Sequence, residues 1–222
     1  MRYRGVLFDM DGTVLDTLTD LHKAVNRSLR QFGYPEVSRE TARAGLGNGA
    51  EHLLRCCLPP VAEDELRRVL AWYVPWYEQH CRIATRPYPG ILPLMERLRG
   101  EGARLAIISN KGDGAVQELA ASFFPGLLDT AVGESAEVRR KPDPDAVLAA
   151  AARMGLGIDE CVYVGDTEVD LATARNASMA CILVGWGFRD EQQLRALGDV
   201  PLAMTVGELE SMLLQSEVPH ES

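Results

Sequence analysis

The stretch VLFDMDGTVLDT, Val6 to Thr17, follows an apolar run with Asp9 and Asp11 and then Gly12. Two carboxylates at the end of a buried strand repel each other and lose hydration, so something must compensate them. Ser109, Asn110 and Lys111 follow a second apolar run, RLAII, and Asp166 and Asp170 in GDTEVD follow a third, CVYV. Lys141, in RRKPDPD, stands just ahead of a helical pattern. In open α/β sheets ligands bind beyond the carboxyl ends of the strands, where these residues would meet. Four aspartates in one crevice are tolerable mainly if a cation binds there or if some carboxyls stay protonated. An all-oxygen donor set without Cys or His favours Mg²⁺, a hard ion that takes one or two carboxylates plus phosphate oxygens and water.

The elements that must position these residues are legible as short apolar runs. GVLF (Gly5 to Phe8), RLAII (Arg104 to Ile108), CVYV (Cys161 to Val164) and ACILV (Ala180 to Val184) predict strands buried on both faces, with a weaker one in DTAVG around Ala131. LPLMERLRGEG predicts a helix ending at a Gly102 cap. DPDAVLAAAARMG predicts one with Asp143 as N-cap, Pro144 at the first helical position and Gly155 beyond the end. Strand–helix alternation from Pro89 onward implies an α/β fold built on a doubly wound parallel sheet. Between Leu18 and Arg86 only helical spacing is found. Leu18, Leu21, Val25, Leu29 and Phe32 mark one helix, ended by Gly33 and Pro35. Others are expected from near Ser38, near Ala50, and from Asp64 toward Cys81, with Pro75 kinking or dividing the last. The expected organisation is an α/β core of residues 1–16 and 87–216 with a helical module, 17–86, inserted after the first strand. The final QSEVPHES reads as a frayed tail.

Composition narrows the class. The 222 residues suffice for one large domain or a main domain with a satellite. The formal charge of −9, without a Lys/Arg run, argues against nucleic acid or an anionic membrane as partner and leaves a small anionic substrate open. No apolar run approaches the ~20 residues that cross a bilayer, and the N-terminus carries no signal-peptide pattern, so a soluble cytoplasmic protein is expected. The five cysteines form no CxxC pair and read as thiols of a reducing compartment.

DMDGT, SN, KP and GDTEVD, in that order, resemble the four motifs of the haloacid dehalogenase superfamily, and the helical insert is similar to its type-1 cap. GLGNGAEHLL, RPYPGI and ISNK resemble the phosphoglycolate phosphatases and their close relatives. The resemblance implies a Mg²⁺-dependent phosphatase of a small phosphorylated metabolite, 2-phosphoglycolate first among them. Asp9 would be the nucleophile that forms an aspartyl-phosphate, and Asp11 the general acid and base. Asp9, the Asp11 backbone carbonyl and Asp166 would hold Mg²⁺, with Asp170 a further ligand or an anchor behind them. Ser109, Asn110 and Lys141 would bind the phosphoryl oxygens, with Gly12 and Thr13 shaping the loop beside them and Lys141 also neutralising Asp9.

Plainer readings stand beside these. Asp9, Asp11 and Asp166 could cap turns or helices, Asp170 could pair with a nearby base, and Ser109 and Asn110 could form an ordinary turn. Gly47, Asn48 and Gly49, in GLGNG, follow no strand and read either as a substrate-facing loop or as a helix–helix connection. His52 and Arg55 could meet a substrate carboxylate or only solvent, and Trp186 reads as loop packing. A phosphomutase similar to β-phosphoglucomutase would share the whole catalytic set; inorganic pyrophosphatase is a third enzyme reading. A receiver-like phosphoacceptor would be about half this length and lack the insert. Oligomeric state is open between monomer and homodimer.

Overall fold

Gly5–Phe8 is buried along its whole length and forms the strand β1. Alternate residues of such a strand face opposite ways, so it needs a helical layer on each side. The structure, a computed structural model, describes residues 2–214; QSEVPHES and the end of the expected core lie outside the described residues. After β1 come the two-residue β2 (Leu15–Asp16), helices α1 (Leu18–Gln31), α2 (Arg39–Ala44), α3 (Gly49–Cys57) and α4 (Glu63–His80), and the two-residue β3 (Arg86–Pro87). The alternating part follows as α5 (Ile91–Gly100), β4 (Arg104–Gly112), α6 (Asp113–Phe123), β5 (Thr130–Glu134) and α7 (Asp145–Arg153). It continues with β6 (Cys161–Gly165), α8 (Glu168–Asn176), β7 (Ala180–Val184), α9 (Glu191–Arg195), β8 (Leu202–Ala203) and α10 (Val206–Leu214).

Six of these strands form one sheet in the order β5-β4-β1-β6-β7-β8, every pair parallel. The order reverses at β1, which is where a doubly wound sheet opens a crevice. Val6 and Phe8 pack with Leu98, Ile107 and Val164 on one side. Leu7 packs with Val147, Ala150 and Tyr163 on the other. The strand end of β1 therefore sits at the middle of the molecule, held by β4 and β6.

The expected strands are present, and three short ones were not foreseen. β2, β3 and β8 have two residues each, too few for any periodicity to register. Two helix details also differ. The first helical residue of α7 is Asp145, with Pro144 at the cap position. Asp143 Oδ1 still accepts from the Asp145 amide at 3.1 Å, from one position ahead of the cap it was expected to fill. Helix α4 is not divided at Pro75: it runs on to His80, with Tyr73 and Tyr77 buried on either side of the proline. Ser38 caps α2 as its spacing predicts, its side chain accepting from the Thr41 amide. Among the described residues no helix is long and apolar enough to cross a membrane.

The two chain crossings between sheet and helical unit lie side by side, because β2 pairs antiparallel with β3. Asp20, in the first turn of α1, ties them. Its Oδ2 accepts from the Ala84 and Thr85 amides, each at 2.8 Å, and from Thr85 Oγ1 at 3.0 Å. Asp20 and Thr85 are buried, so truncating the carboxylate leaves donors that water cannot fully recover. Asp20→Ala is expected to lower unfolding free energy by about 2–4 kcal/mol, read as a lower urea midpoint.

Candidate active site

Asp9 is the first residue past β1, and its amide donates to Val164 O at 2.8 Å, extending the parallel ladder by one bond. That bond brings it beside Asp166, the first residue past β6. The turn after Asp9 needs glycine: Gly12 has φ +86°, and a Cβ there would lie 2.4 Å from Asp166 Oδ2. Thr13 Oγ1 donates to Asp166 Oδ1 at 3.0 Å, and the Phe188 amide donates to Asp166 Oδ2 at 2.6 Å. Both oxygens of this fully buried carboxylate are thereby oriented. Trp186 does more than pack its loop, since its Nε1 donates to Thr13 O at 3.0 Å.

Helix α8 begins with a capping box in which Thr167 and Asp170 satisfy one another. Asp170 Oδ2 accepts from the Asp166 amide, the Thr167 amide and Thr167 Oγ1, leaving Oδ1 for Lys141 Nζ at 2.7 Å. Lys141 Nζ also reaches Asp9 Oδ1 at 2.8 Å and Tyr163 Oη at 2.9 Å, which uses all three of its donors. Asn110 fixes the lysine from behind. Its Oδ1 accepts from the Lys141 amide at 2.7 Å, and its Nδ2 donates to Lys141 O at 3.0 Å and to Gly47 O at 3.1 Å. Its side-chain amide is thus committed to backbone, and Ser109 Oγ accepts from the Lys111 amide at 3.2 Å.

The electrostatics follow from burial. Desolvation pushes Asp9 up from its ordinary 3.8 to about 7; Lys141 pulls it back, while Asp170 and Asp11 add to the rise. Desolvation also holds Asp166 well above the carboxylate range, helped by Asp170 and Asp9. Burial works against the charge of Lys141, but Asp170 and Asp9 outweigh it and keep the ammonium well above the ordinary lysine range. Oxygens of Asp9, Asp166 and Asp170 lie within 4.8 Å of one another. One ammonium cannot neutralise three such carboxylates, and the donor set is hard oxygen throughout, so the cluster fits a divalent cation. Asp170 already accepts four hydrogen bonds, against two at Asp166 and one at Asp9, so Asp9 and Asp166 keep the lone pairs that can face it. Asp11 stands apart, half-buried, with Oδ1 buried and without a hydrogen bond, and Lys111 Nζ is 3.1 Å away.

Above these groups lies a cavity of about 280 Å³, lined from the sheet by Asp9, Asp11, Ser109, Asn110, Lys111 and Lys141 and from the helices by Leu53, Leu70, Tyr73 and Tyr77. A family model for haloacid dehalogenase-like hydrolases matches residues 6–184, from β1 through β7. The chain belongs to the haloacid dehalogenase-like hydrolases. It is 35% identical over 192 residues to a phosphoglycolate phosphatase of Rhodobacter capsulatus, covering 83% of this chain and 85% of that one. To a phosphoglycolate phosphatase of Nitrosospira multiformis it is 32% identical, covering 87% and 88%. A crystal structure from Lactobacillus delbrueckii subsp. bulgaricus, assigned as a phosphoglycolate phosphatase, superposes with a TM-score of 0.91 at 38% identity, covering 97% of this chain and 100% of that one. This hydrolase is a phosphatase of the phosphoglycolate phosphatase-like kind.

In the hydrolase, Gly47 and Gly49 line the cavity, whereas Asn48 turns away and its carbonyl accepts from Arg140 Nη1 at 3.0 Å. His52 and Arg55 do not reach it. They border a second depression with Asn48 and Arg140 that shares Glu51 and Lys141 with the cavity, and Arg55 is held by Glu51 and Glu63 at 2.8 Å each. Two residues of the site carry no mark in the sequence: Tyr163, hidden in an apolar strand run, and Tyr77, on a helix of the inserted unit. Lys111, expected in the crevice as a polar residue at a strand end, lines the cavity, with no role assigned to it by its sequence context.

Because Asp9 is raised in the fold, the folded chain binds more protons than the unfolded one between 3.8 and about 7, and this group's stability contribution falls as pH rises through that window. Asn cannot ionise. In chelator, Asp9→Asn is therefore expected to melt above the wild type at about pH 8, with the gap shrinking by about pH 5, read by calorimetry.

Proposed function

We propose that this hydrolase is a cytoplasmic, Mg²⁺-dependent phosphatase of small phosphorylated metabolites, 2-phosphoglycolate first among them, acting through an aspartyl-phosphate on Asp9. The observation that carries this reading is the ammonium of Lys141 bonded to Asp9 and Asp170 beside Asp166. Such an arrangement holds one carboxylate, Asp9, against the cavity with its charge partly neutralised and its orientation fixed. Asp9 would attack phosphorus in line with the leaving oxygen. Asp11, whose Oδ1 has no hydrogen-bond partner of its own, would give its proton to that oxygen and later take one from the hydrolytic water. Ser109 would carry a phosphoryl oxygen, and Lys141, its donors committed to Asp9, Tyr163 and Asp170, would offset phosphoryl charge through its field while Asn110 keeps it in place.

Asp9, Asp166 and the Asp11 carbonyl would hold Mg²⁺, which when bound supplies positive charge for the phosphoryl oxygens and keeps Asp9 ionised. Thr13 and the Phe188 amide would hold Asp166 in the orientation this requires. The helices α1–α4 are read as a cap, residues 17–86, that excludes bulk water when seated and admits it when lifted. The small cavity supports a small substrate. The curated relatives named above support 2-phosphoglycolate in particular.

A panel of phosphate monoesters, assayed for inorganic phosphate with and without Mg²⁺, tests the reading. 2-Phosphoglycolate is expected to give the highest kcat/KM, chelation to abolish turnover, and release to need no bisphosphate activator, unlike a mutase. Asp9→Asn should retain its circular dichroism and lose at least about 10⁴-fold in kcat. Full turnover by that variant would exclude Asp9 as the nucleophile.

A further inference from the structure

We propose that Lys111 selects the leaving group by receiving a carboxylate carried on the carbon next to the ester oxygen. The inference rests on the phosphatase reading above and deepens it by naming the residue behind substrate choice. Two cations line the cavity, Lys141 and Lys111. Every donor of Lys141 is taken, by Asp9, Tyr163 and Asp170. Lys111 is only 8% exposed, and its ammonium is held by Tyr77 Oη at 2.5 Å and faces Asp11 Oδ1 at 3.1 Å. The contact with Asp11 is an ion pair without a hydrogen bond, so Tyr77 takes one of the ammonium's three donors and the rest remain for a ligand.

Its position gives those donors a specific target. The leaving oxygen must come within hydrogen-bond distance of Asp11, and Lys111 lies beside the same Asp11 atom. A carboxylate carbon two bonds from the ester oxygen then falls within reach of Lys111, whereas a longer chain would carry its charge past it. Asp11, protonated when it acts as the acid, does not cancel the lysine, and neither do the glutamates of the cavity. Glu51 is paired with Arg55 at 2.8 Å, Glu134 with Arg140 at 3.5 Å, and Glu78 stands over Gly114 in the first turn of α6. The rest of the helical wall, with Leu53, Leu70 and Val74, offers a charged leaving group no partner. Because Tyr77 belongs to α4, the receptor is complete only with the helical unit seated, so substrate choice and closure act through one contact.

The test compares 2-phosphoglycolate with 2-hydroxyethyl phosphate, its alcohol analogue, in wild type, Lys111→Met and Tyr77→Phe. The wild type should favour the acid. In Lys111→Met the ratio of the two kcat/KM values should fall about 10- to 100-fold, the loss of one charge-assisted hydrogen bond. Tyr77→Phe should move the ratio the same way by less, and it carries the test if the lysine variant does not fold. Equal losses on both esters would mean that Lys111 serves Asp11 alone, and would overturn the proposal while leaving the phosphatase reading intact. A wild type that favours the alcohol would do the same. A wild type that cleaves neither ester would remove both.

Discussion

The ammonium of Lys141 is the interaction on which the site depends. It is buried, it reaches one carboxylate at a strand end and another in the first turn of α8, and it leaves no donor unused. A lone charge so placed would cost several kcal/mol in lost hydration, and so would each carboxylate. Each therefore requires the other, and the chain must deliver all of them at once. The parallel sheet does this by laying β1 between β4 and β6, so that three strand ends open on the same crevice. Capping boxes and turns then aim the side chains. Asp170 serves both purposes, with one oxygen closing the start of α8 and the other facing the lysine.

The same arrangement leaves an excess of negative charge at the sheet edge. Asp9 and Asp166 are raised by burial and by their acidic neighbours, which is an unfavourable state for ionised carboxylates in a metal-free protein. The local rigidity is built against that repulsion: Gly12 clears room for Asp166, Thr13 and Phe188 bond its two oxygens, and Trp186 holds the carbonyl of Thr13. A site held open by such bonds is ready for a hard cation without rearrangement, so little reorganisation is needed when charge develops on a phosphoryl group.

What could be read from the sequence follows from how local each signal is. Asp9, Asp166 and Asp170 stand at the ends of apolar runs or inside a four-residue capping pattern, so strand periodicity and helix-start chemistry expose them directly. The four long strands and the helices α1–α4 were legible for the same reason. The work of Asn110 was not, because its partners are the backbone of Lys141 and of Gly47, both distant in sequence. Tyr163 reads as one more apolar strand residue, yet the pleat turns its hydroxyl toward Lys141. Arg55 illustrates the converse. Its spacing from GLGNG suggested a substrate contact, but Glu51 lies one turn away and Glu63 follows in α4, and these nearer acids claim it.

Contacts between the helical unit and the sheet fall on the residues that shape the site. Asn110 bonds Gly47 O with the same nitrogen that holds Lys141 O. Arg43 donates to Gly187 O and Phe188 O, and the amide of Phe188 orients Asp166. Arg189 bridges Glu168, at the start of α8, to Leu46 O. Each of the bonds between the two units ends on a backbone carbonyl, so none of them uses a side chain of the cavity's helical wall. That separates two tasks. Bonds to backbone carbonyls seat the helices over the crevice, while side chains such as Leu53, Leu70 and Val74 line the cavity without making them. A fold partitioned in this way can keep one set of reacting groups at the strand ends and change what is admitted to them, because the apolar residues of the helical wall, Tyr77 apart, are not the residues that dock.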